Sequence, residues 1–186
     1  MKIGVLGFQG SVEEHLASLQ KLGVDVVKVK DVDTLSKVSG IILPGGESTT
    51  HLKLLKEVGL FVPLKEAIIS GLPVLATCAG IILLAIKIDT EQDSLKVLGI
   101  EVVRNGYGPQ YYSFVEYINI LGFNEPFKAI FIRAPIIKRV DKDVTILARD
   151  EKKNPCFVKS GKILGLTFHP ELTEDLRLHK MFIDLI

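Results

Sequence analysis

The chain lacks most of the features that would assign it quickly to a specialised class. Its 186 residues include two cysteines, two methionines and no tryptophan. Two cysteines, Cys78 and Cys156, cannot build a disulfide scaffold at this length, and no C-x-x-C pair suggests structural zinc. Neither sign of charge dominates: 23 basic residues against 22 acidic ones give a net charge of +1. That removes the electrostatic case for nucleic acid or an anionic membrane as partner. The longest apolar stretches, such as Gly80 to Ile86, are far too short to cross a bilayer. The opening Met1-Lys2-Ile3-Gly4-Val5-Leu6-Gly7 has a charge and then apolar residues, as a leader would. It is only strand length, with Gln9 close behind and no A-x-A pattern, so it reads as a first buried strand, and a cytoplasmic location is expected by default. With no repeat, low-complexity tract or linker, one domain spanning residues 1–186 is expected, large enough for a proper core.

What is present is a regular alternation. Lys2 to Phe8 is a continuous apolar run, and Ser11 to Leu22 carries helical spacing at Val12, Leu16, Leu19 and Leu22. Val24 to Val29 and Gly40 to Leu43 read as strands, the second closed by Pro44-Gly45-Gly46. Helices are expected at Thr49 to Val58 and Val62 to Ser70, a strand at Pro73 to Ala76, and a helix from Ala79 to Ile86. Apolar strands separated by amphipathic helices predict a parallel sheet covered on both faces. The second half changes to short strands: Val97 to Val103, Tyr111 to Ile120, Ala129 to Ile132, Val144 to Ala148, Pro155 to Val158 and Ile163 to Thr167. A last helix runs from about Glu174 to Leu185. This half reads as an antiparallel extension that returns to the main sheet.

Ligands of doubly wound sheets bind beyond the carboxyl ends of the strands, and Cys78 falls at such an end. A strand that turns sharply into a helix strains its central residue and exposes that side chain, so its neighbours must be small, as in the elbow of serine hydrolases. Here the elbow is Ala76-Thr77-Cys78-Ala79-Gly80. The helix start offers free N–H groups to an anion, so one position would hold a reactive thiolate and half of an oxyanion hole. The other reading is a buried cysteine in a βα unit, a common fate for this residue type. Cys156, in Pro155-Cys156-Phe157-Val158, reads as that kind of filler.

A partner for Cys78 lies in Phe168-His169-Pro170-Glu171, straight after the strand Ile163 to Thr167. Residues two apart in extended chain point the same way, so Glu171 can hold the imidazole of His169 and leave its other nitrogen free for a nucleophile. A third element is Leu43-Pro44-Gly45-Gly46-Glu47-Ser48-Thr49-Thr50, whose glycines let backbone N–H groups approach a substrate closely. Ser48 or Thr49 could instead cap the next helix. The other histidines are expected to matter less: His15 as a solvated or locally paired side chain, His179 at the surface, His51 at the site edge. No pair has metal-ligand spacing with a third ligand nearby.

Together these stretches resemble class I (triad) glutamine amidotransferases, and among them the family of glutaminase subunits of pyridoxal 5′-phosphate synthase. The resemblance also draws on Gly4-Val5-Leu6-Gly7-Phe8-Gln9-Gly10, Glu14-His15, Phe131-Ile132-Arg133-Ala134-Pro135 and Leu172-Thr173-Glu174-Asp175. It implies a three-layer, doubly wound mixed sheet of flavodoxin-like type with an antiparallel extension. It implies a catalytic triad of Cys78, His169 and Glu171, glutamine held by Gly46, Glu47, Ser48, Arg104, Ile132 and Arg133, and an oxyanion hole from Gly45, Gly46 and Ala79. Arg104 and Arg133 are both suited to the substrate's α-carboxylate, and the choice between them stays open. No metal and no cofactor is implied. The implied partner is a synthase subunit that consumes the ammonia in a hetero-oligomer. The family's Arg-Asn-Ser-aromatic-Gly-Arg-Gln stretch stands here as Arg104-Asn105-Gly106-Tyr107-Gly108-Pro109-Gln110, and the elbow's first glycine is Ala76.

Three other readings compete. Gly4, Gly7 and Gly10 with Asp31 suggest a dinucleotide site, but the spacing is G-x-x-G-x-x-G and not G-x-G-x-x-G. A glutaminase subunit for imidazole or anthranilate synthesis would share the triad and differ in the outer motifs. A non-catalytic interaction subunit would not need all three triad residues intact.

Overall fold

Alternation along the inner strands sets the layers. A computed structural model describes residues 1–108 and 113–186. Its first half runs β1 (Lys2–Leu6), α1 (Val12–Lys21), β2 (Asp25–Val29), α2 (Val32–Leu35), β3 (Gly40–Leu43), α3 (Ser48–Glu57), α4 (Phe61–Ile69), β4 (Val74–Thr77) and α5 (Ala79–Leu84). The second half has β5 (Ala85–Ile88), β6 (Leu98–Val103), β7 (Ser113–Ile118), β8 (Phe127–Ile132), β9 (Ile136–Val140) and β10 (Thr145–Arg149). It closes with β11 (Pro155–Ser160), β12 (Ile163–Leu166), a 3-10 turn at Pro170–Leu172 and α6 (Arg177–Ile183).

Ile3 and Val5 of β1, Ile42 of β3, Leu75 of β4 and Leu164 of β12 pack in one cluster with Leu16 of α1 and Phe182 of α6. Their neighbours Leu6, Ile41, Leu43, Val74 and Ala76 face the other way, against Leu55 of α3, Leu64 of α4 and Ile81 of α5. Side chains that alternate across a pleat thus feed two cores, each closed by helices. A fully buried Leu or Ile contributes about 1.5–3 kcal/mol by leaving water, so the strands are held from both faces.

The main sheet has the order β10-β11-β12-β4-β3-β1-β2. The stretch β2-β1-β3-β4-β12 is parallel throughout, and β11 and β10 join its β12 edge antiparallel. This is the expected three-layer, doubly wound mixed sheet with an antiparallel extension, in flavodoxin-like order. The register places Thr77 beside Leu166 at the carboxyl ends of β4 and β12.

Four details differ from expectation. The helix after Cys78 stops at Leu84, and Ala85–Ile88 leaves as β5 to pair with β6; a wholly apolar run carries no period to separate the two states. Neither α2 nor β9 was foreseen; α2 begins where the Asp31 side chain accepts from the Thr34 N–H at 2.7 Å. Asp31 thus serves as the cap of α2. The strands expected at Val97 to Val103, Tyr111 to Ile120 and Ala129 to Ile132 do not rejoin the main sheet: β6 lies in a three-stranded sheet with β5 and β9, and β7 and β8 pair in a sheet of their own. Tyr111, at the start of the expected strand, lies outside the described residues.

Candidate active site

Cys78 is the residue between β4 and α5, and its backbone takes φ 48° and ψ −105°. A non-glycine residue in that region is strained by on the order of 1–3 kcal/mol and persists only where its surroundings hold it. Its N–H donates to Leu166 O at 2.9 Å, so the elbow is tied to the neighbouring strand. The sulfur lies 3.6 Å from Ile132 O, at the end of β8.

His169 follows β12 by three residues, and its N–H donates to Ile130 O at 2.8 Å. Nδ1 lies 2.7 Å from Glu171 Oε1, and the ring is close enough to Cys78 for the two groups to interact. Sulfur, imidazole and carboxylate therefore form a row. Its local cause differs from the expectation of extended chain: Pro170 starts a 3-10 turn, which curls Glu171 back under the ring. Burial opposes a charged His169, but its interactions with Cys78 and Glu171 outweigh it and push its pKa up to about 10. Burial likewise opposes a charged Glu171, yet His15, His169 and Ser11 hold that carboxyl down at about 2. At neutral pH the ring carries the proton and faces the anionic carboxylate of Glu171.

The loop after β3 backs this row closely. A Cβ on Gly45 would come within 2.4 Å of His169 Cε1, so the imidazole lies directly against the loop backbone. Gln9, just beyond β1, holds the next peptides: its Nε2 donates to Glu47 O at 3.0 Å, and the Glu47 N–H donates to its Oε1 at 3.2 Å. Glu47 Oε1 accepts from Arg104 Nη2 at 2.6 Å. Arg133, exposed and with φ 44°, forms no ion pair among the described residues. Every expected site residue except Glu171 lines one cavity of about 510 Å³; Glu171 is buried behind His169. A cavity of about 590 Å³ beside β7 and β10 contains neither cysteine nor histidine.

Several expectations need correction. Neither Ser48 nor Thr49 caps α3, whose N-cap is Glu47; Ser48 Oγ donates to Gln92 Oε1 at 2.9 Å and Thr49 Oγ1 to Glu47 Oε1 at 3.1 Å. His51 does not line the cavity: it is fully buried, its Nε2 3.5 Å from Gly45 O. His15 and His179 are fully buried too, neither solvated nor at the surface. Helical spacing put His15 on the apolar face of Val12, Leu16 and Leu19, and His179 beside Leu178 and Phe182. Gln9 and Ser11 were missed as well, although both follow the end of a parallel strand.

The comparisons with known proteins agree with this geometry. The model of the SNO glutamine amidotransferase family matches residues 5–186. The chain belongs to this family. The chain is similar to the pyridoxal 5′-phosphate synthase subunit PdxT of Thermotoga neapolitana, 53% identical with all of both chains covered. It is equally similar to the protein of that name from Kosmotoga olearia, 53% identical over 98% of this chain and 96% of that one. A crystal structure described as a glutamine amidotransferase superposes with a TM-score of 0.94 at 41% identity, covering 98% of this chain and 97% of that one. Among the described residues of this amidotransferase, no helix is long and apolar enough to cross a membrane.

The departures from the resembling stretch have local explanations in this amidotransferase. Ala76 is fully buried in β4 between Leu43 and Gly165, where its methyl group fits. A side chain at Gly106 would meet Ile136 at 2.7 Å, so the glycine admits β9. Pro109 and Gln110 lie outside the described residues.

Proposed function

We propose that the chain, as one glutaminase domain over residues 1–186, hydrolyses L-glutamine to L-glutamate and ammonia with Cys78, His169 and Glu171 as catalytic residues. The ammonia passes to the synthase subunit of a pyridoxal 5′-phosphate synthase. The observation that carries the reading is the buried Cys78–His169–Glu171 row opening on a cavity. The thiolate attacks the side-chain carboxamide carbon, and the oxyanion rests on N–H groups of Ala79 and the Gly45–Gly46 loop. Removing one such donor typically lowers the rate by about a hundredfold or more. His169 gives its proton to the departing ammonia, then takes one from the water that opens the thioester, while Glu171 holds the ring. Gly46, Glu47, Ser48, Arg104, Ile132 and Arg133 surround the substrate. The adjoining carboxylate of Glu47 and guanidinium of Arg104 suit the α-ammonium and α-carboxylate of an amino acid.

Two relatives named as pyridoxal 5′-phosphate synthase subunits support the choice of pathway over imidazole or anthranilate synthesis. The reading needs no metal and no cofactor, and fits a cytoplasmic, hetero-oligomeric enzyme. The test is glutamine hydrolysis by wild type and Cys78→Ala, each with and without the synthase subunit. Turnover that needs the thiol and rises with the synthase is expected. Equal turnover in Cys78→Ala, or no response to the synthase, overturns the corresponding half of the proposal.

A further inference from the structure

The two oxygens of Glu171 are served very unequally. Oε1 accepts from both Ser11 Oγ and His169 Nδ1. Oε2 is buried and makes no regular hydrogen bond among the described residues; the charged or ring nitrogen beside it is His15 Nε2, at 3.4 Å. That ring also lies 3.2 Å from Thr77 Oγ1, next to the nucleophile, and its Nδ1 is 3.0 Å from His179 Nε2. Three histidines from α1, α6 and the end of β12 thus surround one carboxylate without any contact with solvent at His15 or His179.

We propose that His15 and His179 are positioning residues of the glutaminase: His179 Nε2–H donates to His15 Nδ1, so that His15 Nε2 presents its N–H beside Thr77 Oγ1 and the second oxygen of Glu171, where its positive end steadies the carboxylate that orients His169. The inference rests on the triad assignment above. The hydrogen-bond inventory selects this tautomer. With the opposite arrangement, a lone pair of His15 would face the carboxylate, and His179 Nδ1, which has no partner, would be a buried donor left unmade. With the proposed arrangement the unpartnered ring nitrogen is a bare acceptor, and the N–H of His15, not a lone pair, lies beside Glu171 Oε2 at 3.4 Å. Burial keeps both rings neutral, against the pull of Glu171 on each and of Glu14 on His15; the His169 charge acts on His15 in the same direction as burial. The charged or titratable groups around Glu171 are then His15, His169 and, beyond them, Cys78, Glu14 and His179.

Three measurements test this in the full chain assayed with its synthase subunit. Nitrogen-15 spectra of wild type at neutral pH are expected to show His15 and His179 neutral and protonated at Nε2; an Nδ1–H tautomer at His15 overturns the proposal without any variant. His15→Leu is expected to lower kcat at least tenfold with little change in KM. It should also move the alkaline limb of kcat/KM to lower pH, because a looser Glu171 holds the His169 proton less firmly. His15→Gln, whose amide can donate toward Glu171, is expected to restore both. A His15→Leu enzyme that folds with an unshifted limb, or a His15→Gln enzyme that is no better than His15→Leu, makes His15 a packing residue and overturns the proposal. If wild type itself turns over no glutamine while the nitrogen spectra are as expected, the triad reading fails and the tautomer assignment stands.

Discussion

Replacing Gly80 by alanine sets helix propensity against packing. Within an exposed helix the change is favourable by about 1 kcal/mol, so propensity alone predicts a more stable protein. At Gly80 the added methyl would lie 2.1 Å from Leu43 O and 2.8 Å from Leu43 C, both backbone atoms of β3. The contact must open by roughly 1.3 Å to reach ordinary van der Waals distance. β3 cannot yield easily, because β1 and β4 hold it on both sides. The six-residue α5 moves instead, and Cys78 is its N-cap. Overpacking of this kind destabilises by about 1–3 kcal/mol, more than the propensity gain offsets. A displacement near 1 Å at the nucleophile lowers the rate by about a hundredfold. Urea unfolding should therefore give a lower midpoint at unchanged slope, and glutamine turnover should fall by about two orders of magnitude. Gly59→Ala is the comparison: nothing lies within 4 Å of its added methyl, but its φ is +70°. It should lose about 1 kcal/mol of stability through backbone strain and keep full activity. A Gly80→Ala enzyme as stable and as active as wild type would refute the packing of α5 on Leu43 and, with it, the reason for small residues at the elbow.

Three other outcomes are expected. Arg104→Ala frees Glu47 and removes a cation from the cavity, so KM for glutamine should rise about tenfold or more with a smaller change in kcat; an unchanged KM assigns substrate recognition to Arg133. Acid should unfold the protein early. The buried His179 has its pKa lowered to about 3, so the unfolded chain takes up a proton that the folded one refuses between that value and 6.5. Stability thus rises with pH across this window, and going from pH 6.5 to pH 5 should remove about 2 kcal/mol through His179. His15 is shifted in the same direction. His169, raised, is protonated in the folded state throughout this window and nearly so in the unfolded one below about pH 5.5, so it opposes the slope only weakly, near 6.5. Urea midpoints at the two pH values, with His179→Gln flattening the difference, check the sign. Finally, a chloroketone analogue of glutamine should add once, at Cys78, because Cys156 is fully buried and burial pushes its thiol pKa well up. Mass spectrometry showing two additions to the folded protein would contradict this.

The parallel half of the fold is legible because its strands are buried on both faces and its helices on one, so each leaves its own periodicity. Less legible was whatever depended on pairing at a distance. No local signal in Val97 to Val103 tells whether that strand joins the main sheet or β9, and β9 itself, Ile136–Val140, is only half apolar. Ala79 to Ile86 shows the limit of composition: where every residue is buried, helix and strand look alike. In the candidate site, Cys78, His169 and Glu171 stand out by residue type and position, whereas Glu47 and Arg104 come only from the family resemblance. The supporting residues do not stand out, because Gln9, Ser11 and His179 are ordinary residues until the fold places them.

The proposed triad does not depend on loop conformation in the way that the proposed substrate contacts do. β4 and β12 are adjacent parallel strands, with Leu166 beside Thr77, so both chains leave the sheet at the same edge and in step. One residue onward on β4 is Cys78, tied by its N–H to Leu166 O; three onward on β12 is His169, tied to Ile130 O. A slip of one residue in that pairing would exchange the side chains of β12 between the two cores, each fitted to the other set, and carry His169 away from the sulfur, so the cores protect the register that the chemistry needs. Everything between β4 and β12 in the chain, from β5 to β11, is an excursion that must return to this one position. The groups proposed to face the substrate have no such support: Glu47 stands on the loop after β3, and Arg104 just beyond β6. Mutations in the β4–β12 ladder should therefore lower stability and kcat together, whereas changes at Glu47 or Arg104 should act on KM at nearly constant stability.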